Sequence, residues 1–485
     1  MIPRLFRPAR LRRSGTRPRG IASAAVALAL ASLAAPIVAA DSAPATGDWP
    51  QWRGPLATGV APSGDPPVEW GEGKNVRWKV PIPGRGHSTP IVRGSRIFLT
   101  TAIPSGEAVA AASADRPGAH DNVAPDRAQE FVVLALDRGD GSVLWQRTVR
   151  RALPHEGVHQ TGSWASGSAI TDGERVFAFF GSHGLHALDL DGRPLWQADF
   201  GDMQTLHGHG EGSSPALHGE TLIVNWDHEG DSFLIALDKR TGEQRWKVAR
   251  DEVTSWSTPL VVEHAGRPQV VVSATRRIRG YDLASGDLVW EWGGLSHNVV
   301  ASPVAGAGFV YAGSSYETRA LVAIRLAAAK GDVTGTPAVA WTRDRDTPYV
   351  PSPLLYGDAL CFVKHIQGFL TCVAAKSGET WFGPERLPGI DGVFASPVGA
   401  AGRIYVVGRN GATVVLRHGP RFEPIARNVL EESFAASPAV AGNELYLRGE
   451  RHLYCIAEEP PRPVAAEPGR AVDSTEFSPP NSLRW

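Results

Sequence analysis

The sequence predicts an all-β chain, an eight-bladed β-propeller of four-stranded antiparallel blades, and three observations carry that expectation. A small residue, usually followed by proline and then apolar residues, recurs eight times: Thr89-Pro90, Ser168-Ala169, Ser214-Pro215, Thr258-Pro259, Ser302-Pro303, Ser352-Pro353, Ser396-Pro397 and Ser437-Pro438. A strand-like repeat of this length marks a propeller or solenoid, because one unit cannot bury its apolar face without neighbours. The 53 Gly and 38 Pro among 485 residues suit short strands and many turns, and no helix-period stretch of useful length interrupts them.

The first 20 residues carry seven Arg and no acid, and Ile21 to Val38 is a nearly unbroken run of small apolar residues ending in Val38-Ala39-Ala40. Residues 1–40 therefore read as a secretory signal peptide cleaved near Ala40. The alternative is an uncleaved anchor, for which so short an Ala-rich run is poorly suited. Arg12-Arg13 leaves twin-Arg export open. The mature chain is expected in the periplasm or outside the cell, as a monomer without a stable transmembrane span. Loss of the seven Arg takes the formal charge from −1 to −8, a sign that repels phosphate backbones and argues against nucleic acid as a partner. Residues 41–74 read as an extended N-terminal segment.

Within 75–457 each unit runs the same way: an inner strand, a Gly turn, a β-branched or aromatic strand, a second turn, a third strand like Leu-x-Ala-Leu-Asp, then Gly and an outer strand carrying Trp. Asp238, Gly242 and Trp246 show the spacing, repeated by Asp282, Gly286 and Trp290, by Asp137, Gly141 and Trp145, and one residue shorter by Asp189, Gly192 and Trp196. Asp and Gly close a tight hairpin, and Trp covers a large apolar area between blades. Trp341 and Trp381 continue the series, the seventh unit offers only Phe422 and Ile425, and the eighth ends at Ile456 without an outer strand. The missing strand stands upstream as Asn75-Val76-Arg77-Trp78-Lys79, which is expected to complete the last blade and remove an exposed sheet edge. Residues 102–130 read as an insertion loop in the first blade, and 458–485, with six prolines, as a disordered tail.

These units resemble the pyrroloquinoline-quinone-type propeller repeat over residues 49–457, and the opening Trp49-Pro50-Gln51-Trp52-Arg53-Gly54-Pro55 is similar to that of an exported bacterial subgroup. The resemblance implies fold more than chemistry, because the same blade serves quinone dehydrogenases, outer-membrane assembly factors and other exported proteins. In the dehydrogenases it implies a quinone on the propeller axis beside calcium, with an Asp as base and often a disulfide of adjacent cysteines over the ring. No adjacent Cys pair exists here, and no local motif assigns Asp391 or Glu432 such a role. Pyrroloquinoline quinone with calcium is accordingly not the expected cofactor.

Propeller topology sends the connection into each inner strand and the turn between second and third strands to one face of the disc. Eleven of the 15 His, among them His183 and His120 of the insertion, map to that face, against short Gly turns on the other, an asymmetry that suggests an axial funnel for an anion, a metal or a small polar ligand. The candidate ligand-binding residues are His87, His155, His159, His207, His209, Glu211, Trp256, His297, Asn298 and Asp391. His207-Gly208-His209-Gly210-Glu211 is the candidate metal motif: if extended, its alternate side chains share one side, and two imidazoles with a carboxylate suit a transition metal. The bland alternative is that the glycines merely let the backbone turn.

No Cys-x-x-Cys-His or zinc-type Cys/His spacing occurs. Cys372 and Cys455 fill the third-strand slot held by Ala135, Ala187 and Ala236 and read as small buried residues. Cys361 lies across the hairpin from Cys372. The turn length decides whether both share a face, and free thiols are the expectation. The sequence as a whole favours a non-catalytic exported platform binding an envelope or extracellular protein, or a small polar ligand, through its His-rich face. A quinone-dependent oxidoreductase and a soluble relative of the outer-membrane assembly factor are the alternatives.

Overall fold

The computed structural model describes residues 47–110 and 118–458; the segment expected to be a signal peptide and nearly all of the expected tail lie outside the described residues. Eight sheets of four antiparallel strands follow one another in chain order, the all-β, eight-bladed propeller the repeat predicts. Blade 1 comprises Ile91–Arg93, Arg96–Ser105, Ala128–Asp137 and Val143–Ala152. The ring closes as expected: Val76–Pro81 is the outer strand of blade 8, with Trp78 opposite Cys455 and Lys79 opposite Tyr454.

The recurrent Ser or Thr has a physical role that its smallness alone did not reveal. The backbone N–H of each but Ser437 donates to the hydroxyl of its equivalent in the next blade, from Thr89 to Ser168, Ser214, Thr258, Ser302, Ser352, Ser396 and Ser437 at 2.8–3.1 Å. A buried N–H needs a partner, so these hydroxyls join the blades around the axis. Blade 8 is tied to blade 1 by Arg448, whose Nη1 donates to Thr100 O at 2.8 Å and to the Ser88 hydroxyl.

The tryptophans clamp the blades farther out. Nε1 of Trp78, Trp145, Trp196, Trp246 and Trp341 donates to a carbonyl in the next blade's third-strand turn at 2.8–3.2 Å. Each ring lies against that turn's glycine, Gly141, Gly192, Gly242, Gly286 or Gly378, so closely that an added Cβ would sit 2.6–2.8 Å from it. Trp290 departs from the pattern: its Nε1 donates to Gln269 Oε1 in its own blade at 2.8 Å, although the ring still lies in the core between blades 4 and 5. Blade 5 has the turn of 3-10 helix Leu326–Ala328 where the Asp-Gly turn would be, and the following Gly331–Asp332 pairs in parallel with blade 4. Trp381 packs near His418 of blade 7, ring centroids 6.3 Å apart.

Two expectations are corrected. Cys361 and Cys372 are disulfide-bonded, not free: they are register partners on adjacent strands with Cα atoms 4.1 Å apart, so both side chains leave the same face. Cys455 is free and buried. The insertion is shorter than 102–130, because its flanking strands keep pairing out to Ser105 opposite Ala128, and Asn122–Val123 forms a two-stranded ladder with Val158–His159.

The second face is not left to turns alone. The segment from Trp49 to Asp65 crosses it, pairing Trp49 with Val92 of blade 1 and Val60 with Gly399 of blade 7. Arg53 is buried there and donates to Pro353 O at 2.8 Å and Pro397 O at 3.0 Å, joining blades 6 and 7.

Candidate functional site

An axial cavity of about 480 Å³ opens toward the His-rich face. The Ser/Thr ring lines its throat, and Trp52, carried by the segment that crosses the opposite face, stands at its wall as well. Of the sequence candidates, His87, His159, His209, Glu211, Trp256 and Asn298 line it. Tyr316, Tyr349 and His365 form an aromatic wall, with Tyr349 stacked on His365 at 4.6 Å and on Tyr316 at 5.7 Å between ring centroids.

The remaining candidates lie elsewhere. His155 lines a crevice between blades 2 and 3 and contacts Met203 O at 2.7 Å through Nε2. His297 pairs with Glu317 and Arg276 on the surface, and Asp391 is exposed beside Arg386.

The expected metal motif does not converge, because the segment is not extended. Leu206–Gly208 is a 3-10 turn in which His207 has φ 58, so alternate side chains do not share a side. Glu211 turns away into the gap between blades, where its carboxylate accepts the Ser182 N–H at 2.7 Å and the Ser182 hydroxyl. Gly181, at φ +57, makes this possible, since a Cβ there would lie 1.4 Å from Glu211 Oε2. Burial pushes the Glu211 carboxyl up to about 7, against the Ser182 hydrogen bonds, which favour the charged form.

The loop that bears these residues is held from several sides. Glu156 accepts the Thr205 N–H at 3.1 Å, Thr205 Oγ1 accepts the Gly210 N–H at 3.0 Å, and Trp256 Nε1 donates to Gly210 O at 2.7 Å. The structure instead brings together His120 of the insertion with His159 and His209, whose ligand nitrogens lie within 4.8 Å of one another. His120 was one of the histidines assigned to this face, but the path of its loop is not written in the repeat.

Calcium takes about six to eight oxygen ligands, usually with several carboxylates. The cavity wall offers one carboxylate, Glu211, already engaged by Ser182. The Cys361–Cys372 bond is buried between the strands of blade 6 rather than at the cavity, which neither cysteine lines. These residues do not fit a calcium-held quinone.

The family described as outer membrane protein assembly factor BamB matches residues 129–383. Over 145 residues the chain is 26% identical to methanol dehydrogenase [cytochrome c] subunit 1 of Methylobacterium organophilum, covering 25% of this chain and 22% of that one. BamB from Moraxella catarrhalis superposes with a TM-score of 0.51 at 16% identity, over 75% of this chain and 98% of that one. A europium-containing methanol dehydrogenase gives 0.53 at 11%, over 83% and 89%. At these identities the structural likeness shows the fold, a pyrroloquinoline-quinone-type propeller.

Proposed function

Because the chain belongs to the family described as outer membrane protein assembly factor BamB, we propose that it is an exported, non-catalytic propeller that serves as a binding or assembly platform through its His-rich face. The observation that carries this reading is the axial cavity, walled by aromatic and imidazole side chains, in a disc whose other face is crossed by the Trp49–Asp65 segment. An apolar wall with a few convergent polar groups suits a small polar ligand or the side chains of a partner segment.

The second reading, a quinone-dependent oxidoreductase, is favoured by the similarity to methanol dehydrogenase and weakened by the donor set described above. Titrating the purified chain with pyrroloquinoline quinone and calcium, followed by a dye-reduction assay, separates the two. The platform reading expects no dye reduction, whether or not the quinone binds; turnover of an alcohol or sugar with dye reduction overturns it. Cross-linked capture from envelope extracts then compares the parent with Trp256→Ala/Tyr349→Ala, which is expected to lose the partners that the parent retains.

A further inference from the structure

Three imidazoles from three separate segments meet at the mouth of the cavity. His120 comes from the blade 1 insertion, His159 from the connection between blades 1 and 2, and His209 from that between blades 2 and 3. Their rings are mutually close, with centroid separations of 4.8 Å for His120 and His209, 4.9 Å for His159 and His209, and 5.8 Å for His120 and His159. The three backbones are bonded to one another: His159 N–H donates to His209 O at 3.1 Å, Asn122 Nδ2 to His207 O at 2.7 Å, and Gln160 N–H to Asp121 O at 2.7 Å. The spacing is thus set by main-chain pairing rather than by chance contact of surface side chains.

His209 Nε2 is buried and without a partner among the described residues, a nitrogen available to a metal. His159 Nδ1 lies 2.8 Å from Thr161 Oγ1, and donating to that hydroxyl leaves its Nε2 free; the Thr161 N–H, 3.2 Å from the same Nδ1, gives up its acceptor in this tautomer. His120 Nδ1 stands 3.7 Å from Asp121 Oδ2, a charge contact longer than a hydrogen bond.

From this geometry we propose that His120, His159 and His209 bind a divalent transition metal of the zinc class, with a fourth position left open toward the axial cavity. Three imidazoles are a sufficient set for zinc, at about 2.0–2.1 Å per bond. Small side-chain rotations close the 4.8 Å spread to the roughly 3.3 Å between ligand nitrogens that such bonds imply in a tetrahedron. The open position gives the platform a point of attachment for an anionic oxygen ligand, a carboxylate or phosphate that also rests on the aromatic wall.

The proposal places the metal in the cavity of the platform and in that respect rests on the preceding section, but metal retention is measured without any partner. Its failure leaves the platform reading standing, and loss of partner capture leaves the metal site standing. The full chain is dialysed against zinc and then against buffer, and bound metal is counted; cobalt replaces zinc for absorption spectra, and a chromogenic chelator gives the affinity. One zinc per chain is expected, with cobalt bands of a four-coordinate site. His120→Ala, His159→Ala and His209→Ala should each weaken zinc by more than the roughly 10–100-fold that loss of an outer-shell partner costs, whereas Glu211→Gln should retain it. Because His120 is exposed on the insertion, its variant keeps the test valid if His209→Ala fails to fold. Less than stoichiometric zinc in the parent, or unchanged affinity in His120→Ala, overturns the site.

Discussion

His183 is buried, and its ring stacks on Phe131 at 4.0 Å between centroids. Burial, with His155 and Arg150 nearby, pushes its imidazole down to about 3. In the unfolded chain the same group takes up a proton below about 6.5. The unfolded state therefore binds more protons between these values, and stability is complete above pH 6.5 and falls as pH drops toward 3. His183→Gln is expected to flatten this part of the profile, checked by thermal unfolding in half-unit steps from pH 7 to pH 4; equal slopes in parent and variant would refute the assignment. His183 was legible as a residue of the functional face, but its burial was not, because nothing local to the sequence shows that Phe131 of the neighbouring blade covers it. The same limit applies to Glu211, whose direction depends on Ser182 and Gly181, about 30 residues away.

Blades are joined by one small bond repeated around the axis. Ser352 is 1% exposed, and its hydroxyl accepts the Ser302 N–H at 2.8 Å. Ser352→Ala leaves that buried donor without a partner, and a loss of about 1–3 kcal/mol in urea unfolding is expected. Ser352→Thr keeps the hydroxyl and should hold most of the stability, as Thr258 does at the equivalent position, where its hydroxyl accepts the Ser214 N–H; an Ala variant as stable as the parent would remove the ring's structural role. Every one of the eight signature residues carries a hydroxyl, so the signal was present in the sequence. It was read as smallness because the bond runs between units rather than within one. The tryptophan clamps were legible in kind, and the exception at Trp290 follows from blade 5, where the 3-10 turn Leu326–Ala328 takes the place of the docking turn.

The ring as a whole depends on its first strand. A chain beginning at Ile82 lacks Val76–Pro81 and exposes the His452–Ile456 edge, so it is expected to self-associate and to melt below a chain beginning at Asn75, which keeps the strand. Light scattering after size exclusion, with thermal melts, tests this; a monomeric chain from Ile82 with an unchanged melt would show that closure matters little. The sequence by itself determined the blade count and the closing strand, because both rest on short-range patterning repeated at a near-constant period. Only the tertiary structure decided where the non-repeating segments go: Trp49–Asp65 across the second face, His120 over the cavity mouth, and Cys361 onto Cys372. Those placements depend on contacts far apart in the chain, such as Arg53 with Pro353 O and Pro397 O, and on side-chain directions that no period encodes.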